Sequence, residues 1–333
     1  MGNFKSTVLV NPTDEQVVEQ IASFEASSKA KLKVHRVART NLLQGIRNFT
    51  DPFPRMESHG HYLFGEFAVP TSLVDGVDLF ITMHLIADFN QVFLVFRTPP
   101  DVELTSGSKE FISGLMQIED GDASSGDYIV EVISRVVIEL EKKVEEVHRA
   151  VDDDLRAVNR TYSDLDTELL NSLNTGDLYS AASRYRIDIL GVQTSFDETH
   201  RVLNEIATDH IDLKVEDDSG SVQFFPQSLE IDVSDLVIRM RHLRSLRNNL
   251  ESTLNITFKK FEKIEHAKQT KASHTMTAIA SIMLLPTFIV GLFGQNFHFT
   301  KAIEYNWGWP ISVLVITVVT YGQVVYFKRK NWL

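Results

Sequence analysis

The sequence predicts an α/β head, a long helical hairpin, one stalk helix and two C-terminal transmembrane helices. Three observations carry this. Two charge-free apolar stretches lie near the C-terminus, the 59 residues between Pro226 and Pro286 contain neither glycine nor proline, and the first 126 residues alternate apolar runs with turn residues. With 43% apolar residues the chain can bury a real core, and with no cysteine it can build neither disulfides nor thiolate metal sites. Any bound metal therefore relies on oxygen or imidazole, a ligand set that suits hard ions such as Mg²⁺. Met1 to Val10 is too polar for the apolar core of a cleavable signal.

Residues 1–126 read as the α/β domain. Thr7–Val10 is a short apolar strand, and Pro12, Thr13, Asp14 and Glu15 then form a helix-start signature. Val17, Ile21 and Phe24 follow at helical spacing. Tyr62–Val69, Asp78–Ile86 and Gln91–Arg97 read as strands, the last two joined by a turn over 87–90. Gly/Ser-rich stretches at 105–108 and 121–126 punctuate the end of the domain.

Residues 127–226 turn helical. Ile129, Val132, Val136 and Leu140 recur at helical spacing, and a break at 174–177 divides the segment into an antiparallel hairpin. Glu216–Gly220 reads as a mobile connection. Asp152, Asp153 and Asp154 form either an ion-collecting patch or, more simply, a solvated helix face.

The stalk is expected over residues 227–274. Leu229, Val233, Leu236, Met240, Leu243, Leu250, Leu254, Phe258 and Phe261 recur by threes and fours apart from a skip over Arg247, the pattern of a helix packed along a helical partner. No break separates this repeat from the first apolar stretch. Sixty residues of helix would make a rod of roughly 90 Å.

The first transmembrane helix is expected at 275–295, an extracytoplasmic loop at 296–308, the second helix at 309–327 and a basic tail at 328–333. Each apolar stretch has the length needed to cross about 30 Å of hydrocarbon. Lys259, Lys260, Lys263, Lys268 and Lys271 precede the first, and Lys328, Arg329 and Lys330 follow the second. The loop has only Lys301, opposed by Glu304. The positive-inside rule then places both termini in the cytoplasm.

No phosphate-binding loop is present, because Glu66 follows the glycine pair Gly60 and Gly65. Hydrolase, zinc-protease and phosphorylated-aspartate pump signatures are missing too, so an enzyme is not expected, nor is a nucleotide or nucleic-acid partner. His59 and His61 are close in sequence, which is weak evidence for a metal site. Charge is divided unevenly: residues 239–333 carry 13 Lys/Arg against 4 Asp/Glu, and residues 1–238 carry 20 against 41. The acidic head serves solubility or attracts cations, and charge alone does not choose.

On the first transmembrane helix, Thr270, Ser273, Thr277, Ala280, Leu284, Thr287, Gly291 and Gly294 share one face, and seven of the eight are small or hydroxyl-bearing. Such a face lines a pore or packs against another helix. Gly294-Gln295-Asn296-Phe297 follows. Here the chain resembles the CorA family of divalent-cation channels, which carries Gly-Met-Asn at the outer end of the first of two C-terminal membrane helices. The segments 284–294 and 326–333 resemble that family's pre-motif segment and its basic Trp-Leu tail.

The resemblance implies a homopentameric funnel in the inner (cell) membrane that takes up Mg²⁺, with Co²⁺ or Ni²⁺ also passing, gated by cytoplasmic Mg²⁺. It implies that Gly294, Gln295 and Asn296 form the selective mouth, with Asn carbonyls around a hydrated ion. It places Asp235 at a regulatory metal site, where Asp232, one turn earlier, is a further candidate ligand; the partner acid on the neighbouring head stays open, with Asp75 and Asp78 as candidates by position only. An ordinary surface carboxylate is the equal alternative for Asp235. The basic runs match the family's positive collar, or else anchor the chain to the bilayer surface. Gln295 stands where the family usually has Met, which leaves the ion open. The related ZntB branch also varies there and is associated with Zn²⁺. A non-conducting, membrane-anchored metal sensor is the remaining alternative.

Overall fold

A computed structural model describes residues 4–28, 33–44, 53–74, 77–99, 106–117, 124–160, 175–217, 220–294 and 308–333. The strands are β1 (Lys5–Val10), β2 (Arg55–Ser58), β3 (Leu63–Val74), β4 (Val77–Asp88), β5 (Gln91–Arg97), β6 (Lys214–Asp217) and β7 (Gly220–Gln223). The helices are α1 (Asp14–Ser27), α2 (Arg36–Gln44), α3 (Ser106–Met116), α4 (Ser125–Arg160), α5 (Thr175–Gly191), α6 (Gln193–Ala207), α7 (Gln227–Gly294) and α8 (Gly308–Arg329). They fall into two compact units, Met1–Thr257 and Phe258–Leu333.

The first unit is built on a five-stranded sheet of order β1-β5-β4-β3-β2, parallel only between β1 and β5. Thr13 starts α1 as expected, through a capping box with Gln16. The tight turn into β5 is set by Asp88, whose Oδ1 accepts from the backbone N–H groups of Asn90 (2.8 Å) and Gln91 (3.0 Å). One face of the sheet packs Phe64, Ile86, Phe93 and Val95 against Val17, Ile21 and Leu42 of α1 and α2. The other packs Leu63, Phe67, Leu85, Leu94 and Phe96 into the large core shared with α3, α4, α6 and α7. The sequence boundaries at 126 and 226 therefore fall inside one unit.

Glu216–Gly220, read as a mobile connection, is corrected. Residues flanking 218–219 pair as the antiparallel hairpin β6–β7. Just outside it Asp212 Oδ1 accepts from the backbone N–H groups of Leu213, Phe224 and Phe225 at 2.8–3.1 Å, which fixes the approach to α7. The Gly/Ser-rich stretch at 105–108 is likewise corrected: Ser106 opens α3, which buries Phe111, Ile112 and Leu115. The second half of the hairpin is two helices, divided between Gly191 and Gln193.

The stalk repeat is realised in α7, a helix of 68 residues with Pro286 inside it. Leu229, Val233, Leu236, Met240, Leu243, Leu250 and Leu254 are all buried. The skipped position, Arg247, is buried too; its guanidinium lies over the Phe196 ring (5.5 Å) and pairs with Asp197 on α6 at 3.3 Å. A charge can occupy the seam because α6 supplies both an aromatic face and a carboxylate.

Candidate functional site

The second unit holds the end of α7 and the whole of α8, whose apolar stretches have mean hydropathies of 1.9 and 1.7 and are long enough to cross a membrane. Met283, Leu284 and Trp309 are 69%, 72% and 77% exposed, which water would penalise and lipid or a second copy would not. Two contacts and one buried residue define the side of α7 that meets α8 and its tail. His274 stacks on Trp332 (4.3 Å), Ala278 is fully buried, and the Ser281 carbonyl accepts from Gln323 Nε2 (3.2 Å). The face singled out in the sequence lies elsewhere. Ser273, Thr277, Ala280, Leu284, Thr287 and Gly291 are exposed, roughly 100–180° around the helix from Ala278 at 100° per residue. Thr270 is exposed as well. Packing against α8 therefore does not explain that face.

The C-terminal tail works as a helix stop. Trp332 N–H donates to the Phe327 carbonyl (3.0 Å) and Asn331 N–H to that of Lys328 (3.1 Å), with Asn331 left-handed at φ 56°. This is a Schellman arrangement, and asparagine tolerates its left-handed position better than most side chains. Trp332 is thereby turned onto Phe327 and His274. The same contacts bring Lys328, Arg329 and Lys330 to the end of the helix pair that carries Lys268 and Lys271. Lys259 and Lys263 are exposed, and Lys260 and Lys268 are half-buried.

Gly294 is the last helical residue of α7; Gln295 and Asn296 lie outside the described residues. Asp232 and Asp235 are exposed one turn apart on α7, and Asp78 sits in β4 opposite Leu73 of β3. Asp75 lies outside the described residues. Among the described residues no three acidic or imidazole side chains converge as a metal site. His59 instead stacks between Tyr62 (4.9 Å) and His35 (5.8 Å) and pairs with Glu57.

One buried polar cluster was not picked out from the sequence. Glu66 and His84 face each other across β3 and β4, both essentially unexposed, with Glu66 also paired to Arg55 of β2 at 3.3 Å. Burial pushes the Glu66 carboxyl up to about 7, partly offset by Arg55. Burial, then Arg97 and Arg55, pushes the His84 imidazole down to about 3. Thr82 Oγ1 and both His84 nitrogens find no hydrogen-bond partner among the described residues. The available signal was a glutamate and a histidine, each inside an otherwise apolar strand.

Residues 29–329 match the family of the CorA-like Mg²⁺ transporter protein. The chain belongs to this family. The cobalt/magnesium transport protein CorA of Thermotoga maritima is 38% identical over 66 residues, 20% of this chain and 19% of that protein. The magnesium transport protein CorA of Wolinella succinogenes is 25% identical over 138 residues, 41% of this chain and 39% of that protein. The matched segments thus span well under half of these CorA relatives. The complete CorA magnesium transporter of Methanocaldococcus jannaschii shares the fold, with a TM-score of 0.67 at 12% identity over 98% of this chain and 91% of that one. The full-length CmaX protein does so at 0.62, with 13% identity over 98% and 88%.

Proposed function

We propose that the chain is one subunit of a homopentameric divalent-cation channel in the inner membrane, passing Mg²⁺ as its main substrate with Co²⁺ or Ni²⁺ as lesser ones. The observation that carries this reading is the small, hydroxyl-bearing face of α7, exposed and turned away from α8. A second copy and a water-filled axis give that face a use; lipid does not. Family membership and the CorA names of the relatives support the choice of ion.

The energetics need no motor. A membrane potential supplies about 2.3 kcal/mol per charge per 100 mV, so a dication gains roughly twice that, enough for more than a thousandfold accumulation. Gly294, Gln295 and Asn296 form the mouth at the end of α7. Neutral amide oxygens suit an ion that gives up its water reluctantly. Gln295 adds an amide without adding charge. For the regulatory ion, Asp232 and Asp235 offer hard carboxylate oxygens on one helix face, with further ligands to come from water or a neighbouring subunit. A bound Mg²⁺ there would neutralise the repulsion between those acids. Lysines at the cytoplasmic end of the helix pair meet anionic lipid.

Asn296→Ala tests the mouth. Selective Mg²⁺ uptake into liposomes is expected to fall at least about tenfold, the cost of one lost ion-orienting contact of roughly 1.4 kcal/mol, while size-exclusion profiles stay those of the wild type. Unchanged uptake contradicts the amide ring. Because Gln295 departs from the family's Met, Zn²⁺ is measured alongside, and Zn²⁺ flux without Mg²⁺ flux would replace the substrate.

A further inference from the structure

Gln323 places an amide inside the apolar run of α8. Its Nε2 donates to the main-chain carbonyl of Ser281 on α7 at 3.2 Å, and its Oε1 is buried with no hydrogen-bond partner among the described residues. The acceptor lies just ahead of Pro286, the proline inside α7. Proline brings no N–H, so the Ile282 carbonyl lacks the donor that would sit four residues on, and the ring crowds it. The carbonyls on either side of that gap both take side-chain donors. Ser281 is met by Gln323, and Met283 by the Thr287 hydroxyl at 2.7 Å. Neither bond replaces the donor missing at Ile282; both brace the carbonyls beside it, and Ser/Thr side chains and neighbouring helices are the usual supports around a proline in an apolar helix. The Thr287 bond moves with its own helix. The Gln323 bond ties the weak point of α7 to a different helix.

We infer that Gln323 is a positioning residue, a latch from α8 to the Ser281 carbonyl that restrains bending of α7 at Pro286 and so opposes rearrangement of the pore face. The inference rests on the channel reading of that face. A packing role alone does not account for the residue, because leucine would fill the space without burying an unpaired acceptor. A single hydrogen bond between apolar helices is also weak enough to break during gating, biasing an equilibrium about threefold and at most about eighteenfold.

The test uses the intact protein with Gln323→Met, which keeps the side chain's length and removes its donor, in both the wild-type and Pro286→Ala backgrounds. Two quantities are read: divalent-cation flux in liposomes, and backbone hydrogen exchange over residues 281–292. In the wild-type background flux is expected to rise about three- to tenfold and exchange to quicken. In the Pro286→Ala background both effects are expected to shrink below about twofold, because a complete helix has no weak point to restrain. Unchanged exchange, a fall in flux, or equal effects in the two backgrounds overturns the latch. If the wild-type protein conducts no divalent cation, the channel reading fails and the exchange measurement still decides the latch. Should Gln323→Met not assemble, Gln323→Asn takes its place, since the shorter amide stays polar but cannot reach the Ser281 carbonyl.

Discussion

Glu66 and His84 pull the stability of the head in opposite directions with pH. The Glu66 carboxyl titrates near 7 when folded and near 4.5 when free. Its contribution is therefore fully present below about 4.5 and is lost as the pH rises towards 7, because the unfolded chain gives up its proton first. His84 is depressed from 6.5 to about 3, so its contribution is lost as the pH falls through that window. In Glu66→Gln the loss between pH 4.5 and 7 is expected to vanish, leaving the head up to about 3 kcal/mol more stable at pH 8 than the wild type. The melting transition of the head in the detergent-solubilised chain, followed against pH, measures this. Parallel wild-type and mutant curves would contradict the assignment. These two side chains were readable in sequence as polar interruptions of apolar strands. Their pairing was not, since it depends on the β3–β4 register.

At the scale of elements, the long repeats were legible and the short or partner-dependent pieces were not. The apolar spacing from Leu229 to Leu254 predicted the buried seam of α7, because periodicity over many turns is a strong signal. Arg247 appeared only as a gap in that repeat; its place in the seam requires Phe196 and Asp197, fifty residues away on α6. The β6–β7 hairpin was hidden because its residues are acidic and polar, and α3 because it opens on Ser-Gly-Ser. Gly126 shows how closely two such elements approach. A Cβ there would lie 2.2 Å from the Phe224 carbonyl oxygen and 3.3 Å from Leu229 Cδ1. Gly126→Ala must push the start of α4 off the lead into α7, and a loss of about 2 kcal/mol in head stability is expected by thermal or chemical unfolding. A loss within 0.5 kcal/mol, the range of an ordinary surface change, would show that this contact yields freely.

At the scale of the whole molecule, the two apolar C-terminal helices and the basic runs around them were the most legible features, since length and charge set them without reference to a partner. The proposed mouth at 294–296 rests on family resemblance alone, because the chemistry proposed for it needs several copies. The same holds for Asp232 and Asp235, two exposed acids on one turn of α7. If Mg²⁺ bridges subunits there, Asp235→Ala should weaken Mg²⁺-dependent protection of the head from proteolysis, and superimposed protection curves would remove the site. Mg²⁺ uptake into liposomes containing the purified wild-type protein, under an imposed, inside-negative potential, decides whether the chain forms a channel. Uptake is expected to grow with the potential and to stop when the potential is collapsed. Absence of flux for every divalent cation tried, from correctly inserted protein, would contradict the channel.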